Sequence, residues 1–142
     1  MADDSVAFSE FRKKIKELSA YRGRGTELIS VYITPNYPLS DIMNKLRDEY
    51  GQAANIKSKS TQKNVQAALE KIMAYLRGYS KPPENGLAVF AGNVSEKEGK
   101  VDVQLFSVSP PMPLGVQFYR CESQFVLEPF LDILENTDSY GI

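Results

Sequence analysis

The chain has 142 residues, 42% hydrophobic and 25% charged, with a formal net charge of −1. That composition is ordinary for one folded domain with its own core; it excludes wholesale disorder and an evenly basic nucleic-acid binder, while leaving room for a local basic surface. With one cysteine, Cys121, and no histidine, no internal disulfide is possible, zinc has no anchor, and Ser-His-Asp, Cys-His and His-based metal chemistry are all excluded.

The acidic N-terminus "MADDSVAF" lacks the apolar core of a signal peptide. The longest apolar run, "GLAVFAG", falls far short of the roughly 20 residues a membrane span needs, so a cytoplasmic protein with no membrane partner is expected. Phe8, Phe11, Ile15 and Leu18 recur at helical spacing, predicting a first helix from about Ser5 to Tyr21 that "RGRG" breaks. In "ELISVYIT", Ile29, Val31 and Ile33 share one face and Leu28 and Tyr32 the other, the pattern of a strand buried on both sides and central to a sheet. Leu39, Ile42, Met43, Leu46 and Tyr50 predict a second helix with Pro38 near its start and Gly51 as its stop. The third helix runs from near Lys59 to Gly78, with Val65, Leu69, Ile72 and Leu76 as its apolar stripe and Lys59, Lys63 and Arg77 pointing away from it.

After the loop "KPPENG" come the strand "LAVFA", the turn "GNVSEKEGK" and the alternating strand "VDVQLF", together a hairpin. The spelling "NVS" at Asn93 matches a glycosylation sequon but reads as turn chemistry in a chain with no secretion signal. Proline-rich "SPPMP" leads to a fourth strand, "GVQFYRC", and Pro129 sits in the first turn of a last helix carrying Leu127, Phe130, Leu131 and Leu134. These elements predict a single α/β (α+β) domain over 1–142: a central mixed or antiparallel four-stranded sheet with helices on its faces. The second and third helices form a protruding antiparallel hairpin.

The hairpin tip, "GQAANIKSKS", has no apolar side chain larger than Ile56, so it presents an amide, hydroxyls and ammonium groups outward. A capped, solvated turn, with Asn55 or Ser58 capping the third helix, accounts for it as spacing alone. On the last strand, Gln117, Tyr119 and Cys121 share one face and Val116 and Phe118 the other; a half-buried sheet tyrosine and a small core cysteine are the plain readings. Two features go further. Lys57, Lys59 and Lys63 cluster at the tip with only Glu70 against them nearby, so one end of a neutral chain is basic. Glu49, Asn55, Lys57 and Tyr119 sit on segments able to face one cleft, the kit of a base reader with phosphate contacts beside it.

"AANIKS" at 53–58, "GT" at Gly25 and Thr26, and "YRCESQF" at 119–125 resemble the TASNIKS, GTS and YxCxxxF signatures of the stop-codon-recognising N-terminal domain of the class 1 peptide chain release factors of archaea and eukaryotes. Their order and approximate spacing hold across nearly the whole chain. The resemblance implies that Asn55, Ile56, Lys57 and Ser58 form the loop approaching the first base, uracil, and that Glu49 and Tyr119 lie near the purines that follow. It further implies Thr26, beside Gly25, at the third position, and Cys121 and Phe125 shaping or supporting the pocket. Lys59 and Lys63 are then contacts to phosphate or ribosomal RNA. Gln52 and Ala54 replace a threonine and a serine of TASNIKS, and Glu27 stands where GTS has serine, so hydroxyl contacts from those positions are not expected here.

The chemistry of the side chains agrees. An ammonium is donor-only, so Lys57 favours the uracil carbonyl over the cytosine amino group; a carboxylate is acceptor-only, so Glu49 welcomes the adenine amino group and opposes the guanine carbonyl. The hydrolysis-promoting Gly-Gly-Gln signature occurs nowhere in the sequence. The chain ends about where the resemblance places the start of the next domain. The expectation is therefore the decoding part of a longer factor: non-catalytic alone, monomeric, needing no cofactor and no metal. Its expected partners are the mRNA stop codon, small-subunit RNA, the ribosome and, through the missing domains, a GTPase. Three alternatives remain at this point: the related Pelota-like ribosome rescue factors, a protein-interaction module docking through the hairpin, and an enzyme using Cys121 as nucleophile.

Overall fold

Apolar side chains on both faces of "LISVYI" leave that strand only one place, the interior of a sheet covered on both sides. In the computed structural model, which describes residues 2–23, 25 and 27–139, β1 (Leu28–Ile33) is buried at every position. It lies between β2 (Leu87–Asn93) and the edge strand β4 (Phe118–Glu122), with β3 (Val103–Val108) on the far side of β2. All pairings are antiparallel, and the register sets Val31 opposite both Val89 and Tyr119, and Ile29 opposite Ala91 and Cys121.

Alternation along β1 then divides the interior in two. Ile29, Val31 and Ile33 point to one face, where they meet Leu46 of α2 (Leu39–Ala53) and Val65, Leu69 and Ile72 of α3 (Lys59–Leu76) in an aliphatic core. Leu28 and Tyr32 point to the other, packing with Phe90 against Phe11 and Leu18 of α1 (Ala2–Ser19) and Phe130 of α4 (Glu128–Ser139). Each such side chain contributes about 1.5–3 kcal/mol on burial, so each face is a core in its own right.

Several expected boundaries shift for identifiable reasons. The second helix does not stop at Gly51 but continues to Ala53; the chain then leaves through one-turn bonds from the Ala54, Asn55 and Ile56 N–H groups to the Gly51, Gln52 and Ala53 carbonyls. β4 begins at Phe118 rather than Gly115 because β1 ends at Ile33; beyond it the Thr34 N–H is taken by the Gln117 side chain, at 3.1 Å. β3 is displaced two residues along the chain, to Val103–Val108, and β2 extends to Asn93. There the buried Asn93 side chain accepts from the Ser95 and Asp102 N–H groups at 3.2 and 2.9 Å, so the "NVS" spelling is the pin of a turn. Leu131, expected in the apolar stripe of the last helix, is exposed. The α2–α3 hairpin lies along the sheet for most of its length, α3 burying residues from Asn64 to Leu76; only its tip stands clear.

Candidate nucleic-acid interface

The tip is built so that its polar groups have little internal work. Ala53 is buried and Ile56 is half-buried against the aliphatic core, which fixes the loop from beneath. Ser58 caps α3, its Oγ accepting from the Thr61 N–H at 3.3 Å and lying 3.1 Å from the Ser60 Oγ. That leaves Asn55 and Lys57 exposed on a loop pinned at both ends. The Tyr50 hydroxyl donates to Glu70 at 2.9 Å and the Gln66 amide donates to the Tyr50 carbonyl, tying the two helices just behind the tip. Glu70, the acid nearest the lysines in sequence, is therefore engaged by Tyr50.

Lys57, Lys59 and Lys63 are all exposed, and among the described residues none of them forms an ion pair. The first turn of α3 carries no acidic residue. Positive side chains at the positive end of a helix dipole oppose helix stability, whereas an anion placed there is welcome from both sources. Stability alone does not explain this arrangement.

Along α2 from the tip, toward the edge strand, Glu49, Tyr119 and Cys121 lie near one another. Glu49 is mostly buried and pairs with Lys45 one turn earlier, Oε2 to Nζ 3.1 Å, while the same ammonium sits 5.8 Å from the centre of the Tyr119 ring. Lys45 precedes its carboxylate, the weaker i,i+4 orientation, and its side chain is largely exposed, so the pair contributes no more than about 0.5 kcal/mol. A cleft of about 210 Å³ opens between α2 and β4, lined by Lys45, Leu46, Tyr37, Gln117 and Tyr119 among others.

Burial raises the ionisation of the Tyr119 phenol well above its ordinary value, with Cys121 and Glu49 adding to it, so the hydroxyl keeps its proton and hydrogen-bonds the Cys121 thiol. Burial likewise pushes Cys121 up to about 11; the Tyr119 bond opposes this and Glu49, Glu27 and Glu122 reinforce it. A thiol held protonated among carboxylates is a poor nucleophile, so the cysteine-enzyme reading loses its chemistry.

The remaining expected residues divide. Gly25 is exposed with open space around its α-carbon. Thr26 lies outside the described residues. Glu27 is buried and accepts from the Asn64 amide at 3.5 Å, the limit of a hydrogen bond, so it joins the start of β1 to α3 rather than facing outward. Phe125 does not reach this cleft: it is buried on the opposite face of the sheet, with ring centres 5.5 Å from Phe90 and 6.2 Å from Tyr21. Its place is set by the chain turning after β4, where the Val126 N–H donates to the Ser30 hydroxyl and the Val126 carbonyl accepts from Tyr32. It packs in the aromatic core of that face. Sequence reasoning missed Lys45, whose four-residue spacing from Glu49 was the available signal; Gln117 it placed on the Tyr119 face, but not its bond to the Thr34 N–H.

Comparison with known proteins accords with this geometry. The model of the family described as eRF1 domain 1 matches residues 7–135. The peptide chain release factor subunit 1 of Thermococcus onnurineus is 52% identical over 142 residues, covering all of this chain and 34% of that protein. That of Pyrococcus abyssi is 55% identical over 133 residues, 94% of this chain and 32% of that protein. The crystal structure of an archaeal translation termination factor, aRF1, superposes with a TM-score of 0.80 at 37% identity, covering 89% of this chain and 34% of that one. The chain thus spans about a third of the length of these relatives. With nearly its whole length matched, the chain belongs to the eRF1 domain 1 family.

Proposed function

We propose that this chain is the decoding domain of a class 1 peptide chain release factor, recognising mRNA stop codons on the small ribosomal subunit during translation termination. In this reading Asn55 and Lys57 meet the first base, Glu49 and Tyr119 the purines after it, and Thr26 the third position. Lys59 and Lys63 meet phosphate of ribosomal RNA. Peptidyl-tRNA hydrolysis and any GTPase contact belong to other parts of the longer protein, since no Gly-Gly-Gln occurs in these 142 residues. The observation that supports it most is an exposed lysine tip, with no ion pair among the described residues, on the same core face of the sheet as the Lys45–Glu49 pair and the cleft beside Tyr119. An interaction module would need apolar anchors on the tip, and Ile56 is turned against the core.

Few phosphates are within reach of one small basic patch, so the isolated domain binds free RNA weakly and with a shallow salt dependence. The test belongs in a full-length factor carrying this domain. Lys57→Ala and Asn55→Ala should each lower stop-codon-dependent peptide release about tenfold or more, from roughly 1–3 kcal/mol per base contact, with the thermal midpoint unchanged. Unchanged release by both variants would count against decoding from this tip.

A further inference from the structure

The cleft poses a problem that its acceptors alone do not solve. The Glu49 carboxylate only accepts, which suits the amino group of adenine, yet two of the three stop codons carry guanine, whose carbonyl at the same edge needs a donor. The Lys45 ammonium is a donor already in place, 3.1 Å from Glu49 and 5.8 Å from the Tyr119 ring centre. The Gln117 amide, its oxygen bonded to the Thr34 N–H, and the Tyr37 hydroxyl also line the cleft, but among its lining residues Lys45 alone carries a charge.

We propose that Lys45 is a specificity-determining residue that admits guanine: the Lys45–Glu49 pair acts as a two-way reader, offering its carboxylate to an adenine amino group or its ammonium to a guanine carbonyl. This rests on the decoding role assigned above. Three features of the pair fit it for that task. It is weak and lies partly in solvent, so either partner can be drawn off it by a base. The lysine stem packs along a cleft rather than into a core, so the ammonium swings without disturbing α2. Its position over the Tyr119 ring gives the ammonium a second resting place, by cation–π attraction, when adenine occupies the carboxylate. The pair is thereby a reader of purines in general.

The experiment is peptide release by the full-length factor on ribosomes programmed separately with UAA, UAG and UGA. Lys45→Met, which keeps the stem and removes the donor, should leave UAA within about twofold and lower the guanine codons roughly tenfold, the size of one base contact. Lys45→Arg, which restores a cation, should recover most of that loss. Glu49→Gln should lower UAA more than the guanine codons, because its amide supplies a donor where the carboxylate had none. Equal loss on all three codons with Lys45→Met, no loss on any, or a native factor that already fails on both guanine codons would overturn the proposal. Failure of the decoding reading itself shows elsewhere, as release indifferent to Lys57→Ala and Asn55→Ala.

Discussion

The two faces of the sheet are covered in different ways. On the α1 and α4 side the core is aromatic: Phe11, Tyr32, Phe90 and Phe130 meet edge to face, with ring centres 4.8–5.9 Å apart. The Tyr32 hydroxyl donates to the Val126 carbonyl. On the α2 and α3 side the core is aliphatic, and it gives way toward β4 to a half-open seam where Glu49, Tyr119 and Cys121 are only partly covered. Edge-to-face aromatic contacts add about 0.5–1.5 kcal/mol each beyond burial, whereas a seam of polar groups adds little to stability. The aromatic face therefore holds the fold while the seam is where base contacts are proposed, a separation that spares the first from the demands of the second.

That contrast is broken most severely at Phe130, fully buried and in edge contact with three other rings. Phe130→Ala should destabilise the domain by about 3–5 kcal/mol in urea unfolding, through lost transfer energy and the cavity left behind. Any loss of release in this variant should track the unfolded fraction. A loss of release at temperatures where the variant is fully folded would mean that the aromatic face takes part in binding and that the separation is false.

The seam is sharpened by alkali. Cys121 ionises at about 9 in an unfolded chain and at about 11 in the folded domain. Between those values the unfolded state has lost the proton and the folded state keeps it, so the contribution of this group is complete below pH 9 and is lost as pH rises to about 11. The expected loss is about 1–2 kcal/mol once the partial exposure of the thiol is discounted. Cys121→Ala should flatten that part of the pH profile relative to the native domain; profiles of equal slope would show that the thiol is not held by burial. Tyr119, raised in the same direction, extends the decline to higher pH. By the same cause, alkylation of native Cys121 at neutral pH should be far slower than that of the unfolded chain.

How much of this was legible beforehand depended on which interactions fixed each residue. The two-faced burial of β1, the α3 stripe from Val65 to Leu76 and the exposure of Lys57 are consequences of period and polarity, and a sequence displays both. The capping role of Ser58 was legible as one of two candidates. The helix stop was not, because Gly51 stands on an open surface with nothing near its α-carbon and without a positive φ, so nothing forces termination there. Nor was the side of the sheet that Phe125 occupies, since the residues after Glu122 leave the strand and lose its alternation. Lys45 and Gln117 take their roles from what lies across the cleft, Tyr119 and the Thr34 N–H, and such partners are tertiary facts.

The smallest expected effect separates stability from function most cleanly. Lys59 begins α3 at the positive end of its dipole, beside Lys57 and Lys63 and with no acid in the first turn. Lys59→Glu removes a like charge and supplies an opposite one where backbone N–H groups point outward, so the domain should gain about 0.3–1 kcal/mol and melt slightly higher. The same change puts a carboxylate where RNA phosphate is proposed to lie, so the full-length factor should lose release at all three stop codons alike, with the loss deepening as salt is lowered, because repulsion between exposed charges is screened least there. Stability and activity moving in opposite directions at one exposed position is the signature of a charge retained for a partner. A variant that melts higher and releases normally would make the lysine tip an ordinary solvated surface, no different in purpose from the exposed face of α1.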